Sequence, residues 1–342
     1  MIDQTALHAY IRSGDFLEPL RLPAGTELAL SPLGQGEYNL NYSFLHPETG
    51  QRLVLRLNTG SQMHLDRQIE YEFSALQALL PSGRTPRPLL CDGSRSILLY
   101  GVLVMEWLPG RALRYETDLE TAAEILSDIH ALPVPPDCAL LSPASPARSI
   151  YEECLAMAER YLTWDRADPA AARLLEALIR EIGQLPLDSG GGPQCMVNTE
   201  LNSGNFLINE GTRSYLVDWE KPLISEAAQD LAHFLAPTTT FWKTDTILDR
   251  EAAGRFLRAY RRAVNGRFDT GALAHRLPLF FTVTCLRGVS WCAMALREYE
   301  EPGRALTNPD TLRKIRAYLS EDFLRHILEN YVRRDFLRGV MT

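Results

Sequence analysis

Lysine is nearly missing from this 342-residue chain. Lys221, Lys243 and Lys314 are the only three, so arginine supplies 32 of the 35 basic residues. Positive charge is short overall: 43 acidic residues leave a formal net charge of −8. That argues against a general nucleic-acid binder, whose affinity comes from neutralising phosphates with excess cations, and mildly fits a protein that handles cationic substrates. Long apolar runs are lacking too. None reaches the roughly 18–20 residues that cross a bilayer; the longest, Ile97–Met105 and Leu277–Leu286, are bounded by Arg95, Glu106, Arg276 and Arg287. The opening residues, with Asp3 early, lack the basic-then-apolar order of a signal peptide. The six cysteines are scattered without a CxxC pair, which argues against a disulfide framework or a structural zinc site and points to a reducing cytoplasm. No membrane partner is expected.

What is present suffices for a large core, because 46% of residues are hydrophobic. The length suits two domains or lobes at roughly 100–200 residues each. Apolar periodicity divides the chain in the same way. Residues 1–20 read as one short amphipathic helix built on Leu7 and Ile11. A period of two then runs from Glu27 to about Leu57, a helical stretch follows at Leu65–Leu80, and strand-like runs lie near Pro88–Cys91 and Ser96–Met105. After the turn-rich Glu106-Trp107-Leu108-Pro109-Gly110 the pattern is mainly helical: 119–131, 150–164, 169–182, 225–237, 249–264, 270–299 and 309–338. Short β runs interrupt it at Phe206–Ile208 and Ser214–Val217. The expected class is α+β, with a small antiparallel β-sheet lobe over residues 1–107 and a larger helical lobe over 108–342.

Three groups of residues could carry chemistry. Gly34 and Gly36 lie in a turn between strands, where the missing Cβ lets backbone amides approach a phosphate; a plain hairpin turn would use the same residues. Arg56 stands in the apolar run Leu53–Leu57. Either it faces solvent on an edge strand, or it pairs with a carboxylate of the next helix, because an unpaired buried charge is costly. Glu70 and Glu72 are available, on different helical faces, so only one can serve. The third group joins Asn198-Thr199-Glu200 and Asn205 to Asp218-Trp219-Glu220. An amide and a carboxylate flanking a short hairpin make the hard oxygen set that Mg²⁺ prefers. Asx turns would explain the asparagines, but not an acid directly after an apolar strand.

In order and spacing these motifs resemble the aminoglycoside phosphotransferase/choline kinase family, over roughly residues 25–240. Gly34 and Gly36 with Asn39 match its glycine-rich hairpin. Arg56 with Glu72 matches its strand Lys and helix Glu. Asn198 to Asn205 matches its HGDxxxxN loop, and Asp218-Trp219-Glu220 its metal-binding acid. Asp230 matches the acid that braces the catalytic loop, Val104–Gly110 the interlobe linker, and Asp128–Pro133 its LHALP helix end. The resemblance implies a bilobal protein-kinase-like fold, with a nucleotide-binding lobe over 1–107 and a catalytic and substrate lobe over 108–342.

It further implies an ATP- and Mg-dependent phosphotransferase acting on a small-molecule hydroxyl. ATP, or another nucleoside triphosphate, would contact Gly34, Gly36, Asn39, Arg56 and Glu72, with adenine at Glu106 and Leu108. Asn205 and Asp218 would hold the metal at the floor of an interlobe cleft, and Glu200 would orient and deprotonate the acceptor. The chain departs from the family pattern at three places: Glu200 replaces Asp, Asn198 replaces His, and Arg56 replaces Lys. Those departures keep a second reading open, a nucleotide-binding pseudokinase that acts as sensor or scaffold. His130, His233, Cys285 and Cys292 read as packing residues. Glu298, Glu300 and Glu301 read as a solvated helix end, although the resemblance also allows substrate amines there.

Overall fold

The computed structural model describes residues 3–36, 38–301 and 308–340. Glu37, within the glycine-rich segment, lies outside them. In chain order the elements begin with α1 (Gln4–Tyr10), α2 (Gly14–Leu17), β1 (Ser31–Gln35), β2 (Asn39–Leu45), β3 (Arg52–Asn58) and α3 (Gln68–Leu79). Next come β4 (Pro88–Asp92), β5 (Gly101–Glu106), β6 (Arg111–Ala112), α4 (Leu119–His130), α5 (Pro146–Leu162) and α6 (Pro169–Ile182). Then follow β7 (Gln194–Val197), β8 (Phe206–Ile208), β9 (Tyr215–Leu216), β10 (Leu223–Glu226), α7 (Ala227–Leu235) and α8 (Pro237–Lys243). The chain closes with α9 (Arg250–Val264), α10 (Leu273–Glu300), α11 (Pro309–Tyr318) and α12 (Glu321–Ile327).

The chain forms two compact units, and neither is continuous. The first comprises Met1–Arg111, Leu132–Leu141 and Phe206–Pro222; the second comprises Ala112–Ala131, Ser142–Asn205 and Leu223–Thr342. A single cut at residue 107 would assign the β8–β9 hairpin, and with it Asp218, to the helical part. The hairpin packs instead with the first unit, for a local reason. Gly110 has φ +145° and leaves no room for a side chain against Leu207, while Asn209 Nδ2 donates to Pro109 O at 3.0 Å and Leu216 N–H donates to Arg84 O at 2.8 Å.

The first unit is built on an antiparallel five-stranded sheet in the order β1-β2-β3-β5-β4. Strand β3 is central and is buried from Leu53 to Asn58. Because side chains alternate across a sheet, Leu53, Leu55 and Leu57 join one core with Leu7, Tyr10, Phe16 and Phe44. Val54, Arg56 and Asn58 take the other face. The helical expectation for residues 1–20 resolves into two pieces, since Ser13 Oγ donates back to Tyr10 O at 2.7 Å and ends α1. Leu28 and Leu30 precede the sheet rather than extend it.

The second unit is organised around the 28-residue α10, flanked by α5, α6, α7 and α8. By length and composition α10 could cross a membrane, but 72% of its apolar stretch is buried within the protein, so it is the unit's central core helix. Cys285 and Cys292 lie buried on it, and all six cysteines are free. The helical expectation for 309–338 breaks at Ser320, which accepts from Phe323 N–H at 3.3 Å and separates α11 from α12, while α8, which begins at Pro237, lies beyond the helix expected at 225–237. Strand β10, expected to be helical, pairs antiparallel with β7. It ends at Glu226, which Arg276 of α10 grips through two hydrogen bonds of 2.7 and 2.6 Å.

That pair is deeply buried, with both side chains 3% exposed, and removing one partner strands a charge. Arg276→Met is expected to lower the unfolding free energy by about 3–5 kcal/mol in urea titration, while Arg276→Met with Glu226→Leu recovers most of the loss. An unchanged midpoint for the single variant would contradict this.

Candidate active site

In the first unit the chemistry gathers around Arg56. Its Nη1 donates to Glu72 Oε1 at 2.5 Å and to Asp218 Oδ1 at 3.2 Å, and its Nε donates to Asn41 Oδ1 at 3.0 Å. The side chains of Arg56 and Glu72 are 8% and 1% exposed. Of the two candidate helix acids, α3 turns Glu72 inward, on the face of Ile69 and Leu76, while Glu70 pairs with exposed Arg67 at 3.0 Å. Burial works against the guanidinium charge, but Glu72, Asp218 and Glu220 outweigh it and raise the Arg56 pKa. Burial likewise raises the Glu72 pKa, and Arg56 only partly offsets this. One buried cation thus faces three carboxylates.

Asp218 follows β9 with φ +66°. A left-handed backbone at a non-glycine residue is uncommon and concentrates at functional positions. Its neighbour Trp219 is fully buried and donates from Nε1 to Leu216 O at 3.0 Å, which fixes the turn that presents the acid. From α3, Gln68 Nε2 donates to Glu220 O at 2.6 Å and Tyr71 Oη donates to Pro222 O at 2.6 Å. One helix therefore holds both Arg56 and the segment after Asp218.

The glycine-rich turn joins β1 to β2. Gly36 N–H donates to Asn39 O at 2.9 Å, and among the described residues nothing beyond its own chain neighbours lies within 4 Å of where a Cβ on Gly34 would stand. Asn39 is 5% exposed. Its amide donates to Glu220 Oε2 and accepts from Asn58 Nδ2 at 3.0 Å, which makes it a brace beneath the turn. At the end of β5, Glu106 N–H donates to Arg87 O at 2.9 Å and Trp107 N–H to Arg52 O at 3.2 Å, while Leu108 is buried.

In the second unit the catalytic-type loop is clamped by Asp230 of α7. The Asp230 carboxylate accepts Asn198 N–H and Thr199 N–H, each at 2.8 Å, and Thr199 adopts φ +69°. Asn198 Oδ1 accepts Glu200 N–H at 3.0 Å, and Asn205 Nδ2 donates to Glu200 O at 2.7 Å. The Asn205 amide is thereby oriented with Oδ1 as its remaining acceptor end. Both histidines read as packing residues also brace this loop. Buried His130 lies with Nε2 3.2 Å from Asp230 Oδ2 and Nδ1 2.9 Å from Tyr260 Oη. Burial pushes the Tyr260 phenol up, so it stays protonated, donates to Nδ1 and leaves Nε2–H for Asp230. His233 Nδ1 accepts Leu201 N–H at 3.1 Å. Its spacing of three after Asp230, one helical turn, was the sequence signal for that role.

Arg287 of α10 donates to Glu153 at 3.3 Å. Burial opposes its charge, and Glu153 and Glu200 sustain it. Nothing in the sequence singled it out. The acidic helix end is consumed by arginines: Glu298 pairs with Arg160 at 2.7 Å, Glu300 with Arg316 at 2.8 Å and Glu301 with Arg297 at 2.8 Å. Among the described residues no cluster of three or more His, Cys, Asp or Glu could hold a metal; Mg²⁺ needs only one or two protein oxygens beside phosphates.

The sequence profile of the phosphotransferase enzyme family matches residues 29–274. No curated protein sequence was found to match. Among solved structures, a choline kinase of Cryptosporidium parvum superposes with a TM-score of 0.65 at 10% identity, covering 99% of this chain and 100% of its own. An ethanolamine kinase of Plasmodium vivax gives 0.62 at 15%, covering 95% and 91%. A spectinomycin phosphotransferase solved with ADP and spectinomycin gives 0.55 at 14%, covering 88% and 91%. These likenesses show a shared protein-kinase-like fold, and the profile, which spans most of the chain, shows that it belongs to the phosphotransferase enzyme family of aminoglycoside phosphotransferases and choline kinases.

Proposed function

We propose that the protein transfers the γ-phosphoryl group of ATP to a hydroxyl of a small molecule, with Mg²⁺. The observation that carries this reading is Arg56 held between Glu72 and Asp218: a fixed, buried cation for phosphate oxygens, tied to the acid that follows β9. The spectinomycin phosphotransferase with bound ADP supports a nucleotide. Asp218 and Asn205 offer the hard oxygen atoms that suit Mg²⁺. When bound, that ion neutralises and orients the phosphates.

The chain's own groups divide the remaining work. Backbone amides around Gly34 and Gly36 approach the phosphates, and Arg56 neutralises charge there, with a guanidinium that can fork to oxygen pairs where an ammonium cannot. Backbone groups near Glu106–Leu108 would hold the adenine. Glu200 orients the acceptor hydroxyl and takes its proton. A glutamate reaches one methylene further than aspartate, and the Asn198 and Asn205 hydrogen bonds to its backbone fix the position from which it reaches. The six free cysteines suit a reducing, cytoplasmic setting. The pseudokinase reading draws on Glu200 and Asn198 standing where the family has Asp and His.

A phosphate-release screen against amino alcohols, sugars and aminoglycosides separates the two readings. The kinase reading expects turnover with at least one acceptor, and Glu200→Gln is expected to lower kcat by about 100-fold or more with ATP affinity unchanged. Equal turnover in Glu200→Gln contradicts the assigned base. MgATP binding without turnover on any acceptor favours the sensor.

Arg56→Met tests the central cation. Loss of affinity for ATP by about tenfold or more is expected in calorimetry, together with a pH-dependent loss of stability. Without its partner, buried Glu72 has a folded pKa raised well above its unfolded value of about 4.3. The folded state then binds the extra proton, so the variant's stability falls as pH rises. The gap to wild type is therefore expected to be smaller at pH 5 than at pH 8. A pH-independent gap would contradict a buried, unpartnered Glu72.

A further inference from the structure

Glu220 lies two residues beyond Asp218, within the same unit as the glycine-rich turn. Its carboxylate receives Asn39 Nδ2, and its own carbonyl receives Gln68 Nε2 at 2.6 Å. Asn39 is the first residue of β2 and closes the turn through its carbonyl, which accepts Gly36 N–H at 2.9 Å. The Asn39 side chain is fixed from both ends, since its Oδ1 accepts Asn58 Nδ2 at 3.0 Å; Asn58 Nδ2 also reaches Gly60 O at 2.7 Å. Gln68 Oε1 in turn accepts Ser61 Oγ at 2.5 Å. A continuous set of hydrogen bonds thus runs from the base of the turn, through one carboxylate, to the chain two residues beyond Asp218.

A carboxylate is suited to this junction for two reasons. A hydrogen bond to a charged acceptor is about twice as strong as a neutral one, and a partly buried one is poorly replaced by water. Glu220 has a neutral amide donor, that of Asn39, aimed at its carboxylate, so this acid bears directly on the turn. Interrupting the junction would leave the turn and the acid each intact but no longer in register, and misplacement by about 1 Å at a reacting centre can cost on the order of 100-fold.

We propose that Glu220 is a positioning residue that, through Asn39, locks the glycine-rich turn in register with Asp218, so that the nucleotide phosphates meet a cradle formed before they arrive. This rests on the nucleotide reading of the site, and the test keeps the two apart. Asn39→Asp sets two carboxylates against each other and breaks the junction, whereas Asn39→Asp with Glu220→Gln restores it with donor and acceptor exchanged, the Asn58 bond being kept in both.

Hydrogen exchange without ligand is the first readout. Asn39→Asp is expected to speed exchange in residues 38–42 and 216–221 together by about tenfold, and the double variant is expected to return both to within about threefold of wild type. The second readout is ATP affinity, which should fall about tenfold or more in Asn39→Asp and recover in the double variant. Exchange that changes in one segment only, or no recovery in the double variant, overturns the proposal. So does a lowered melting temperature with ATP affinity untouched, which would make the junction merely structural. Coupled exchange in a protein that binds no ATP would sustain the register lock and refute the nucleotide reading instead.

Discussion

A single buried guanidinium organises the first unit. Arg56 can occupy the centre of an apolar strand only because Glu72 and Asp218 meet it there, and those acids can lie so close to one another only because Arg56 separates their charges. Burying such a group contributes little to stability in itself, since desolvation offsets much of the attraction. What it secures is geometry: β3, α3 and the segment after β9 must all arrive in place for three charges to be satisfied at once. Glu220 also bears on Arg56, so three carboxylates depend on where this one guanidinium lies.

The second unit solves a different problem, which is to hold a polar loop rigid without regular structure. Asp230 does this by accepting two consecutive amides, one of them from a residue with left-handed backbone. The layers behind it, His130 and then Tyr260, are buried hydrogen-bonding groups whose donor and acceptor roles are set in sequence from the protonated phenol inward. Asn198, where the family has His, caps the amide of Glu200 and so turns a departure into a local brace. Arginine in place of lysine at position 56 has a comparable character, in a chain with only three lysines.

Much of this was legible in the sequence where a strong periodic signal met a charge that could not be ignored. Arg56 in an apolar strand demanded a partner, and helical phase allowed only one of Glu70 and Glu72 to serve. Asp218 after an apolar run and beside a tryptophan could not be dismissed as a turn residue. Elements defined by short-range hydrogen bonds were less legible: Ser13 and Ser320 divide helices that apolar periodicity alone runs together. Leu28 and Leu30 alternate like a strand yet precede one, because alternation records burial and not pairing. Least legible were contacts across long separations. Nothing local marks Asn39 as the partner of Glu220, or ties the β8–β9 hairpin to the first unit through a glycine at 110.

If the proposed phosphotransfer draws on Asp218 and on Asn205 for Mg²⁺, calorimetric titration of ATP with and without the ion reveals it. Wild-type protein is predicted to bind ATP at least about tenfold more tightly with Mg²⁺, and Asp218→Asn and Asn205→Ala are each predicted to lose that enhancement while keeping metal-free ATP binding. An identical Mg²⁺ enhancement in the wild type and in both variants would contradict the account.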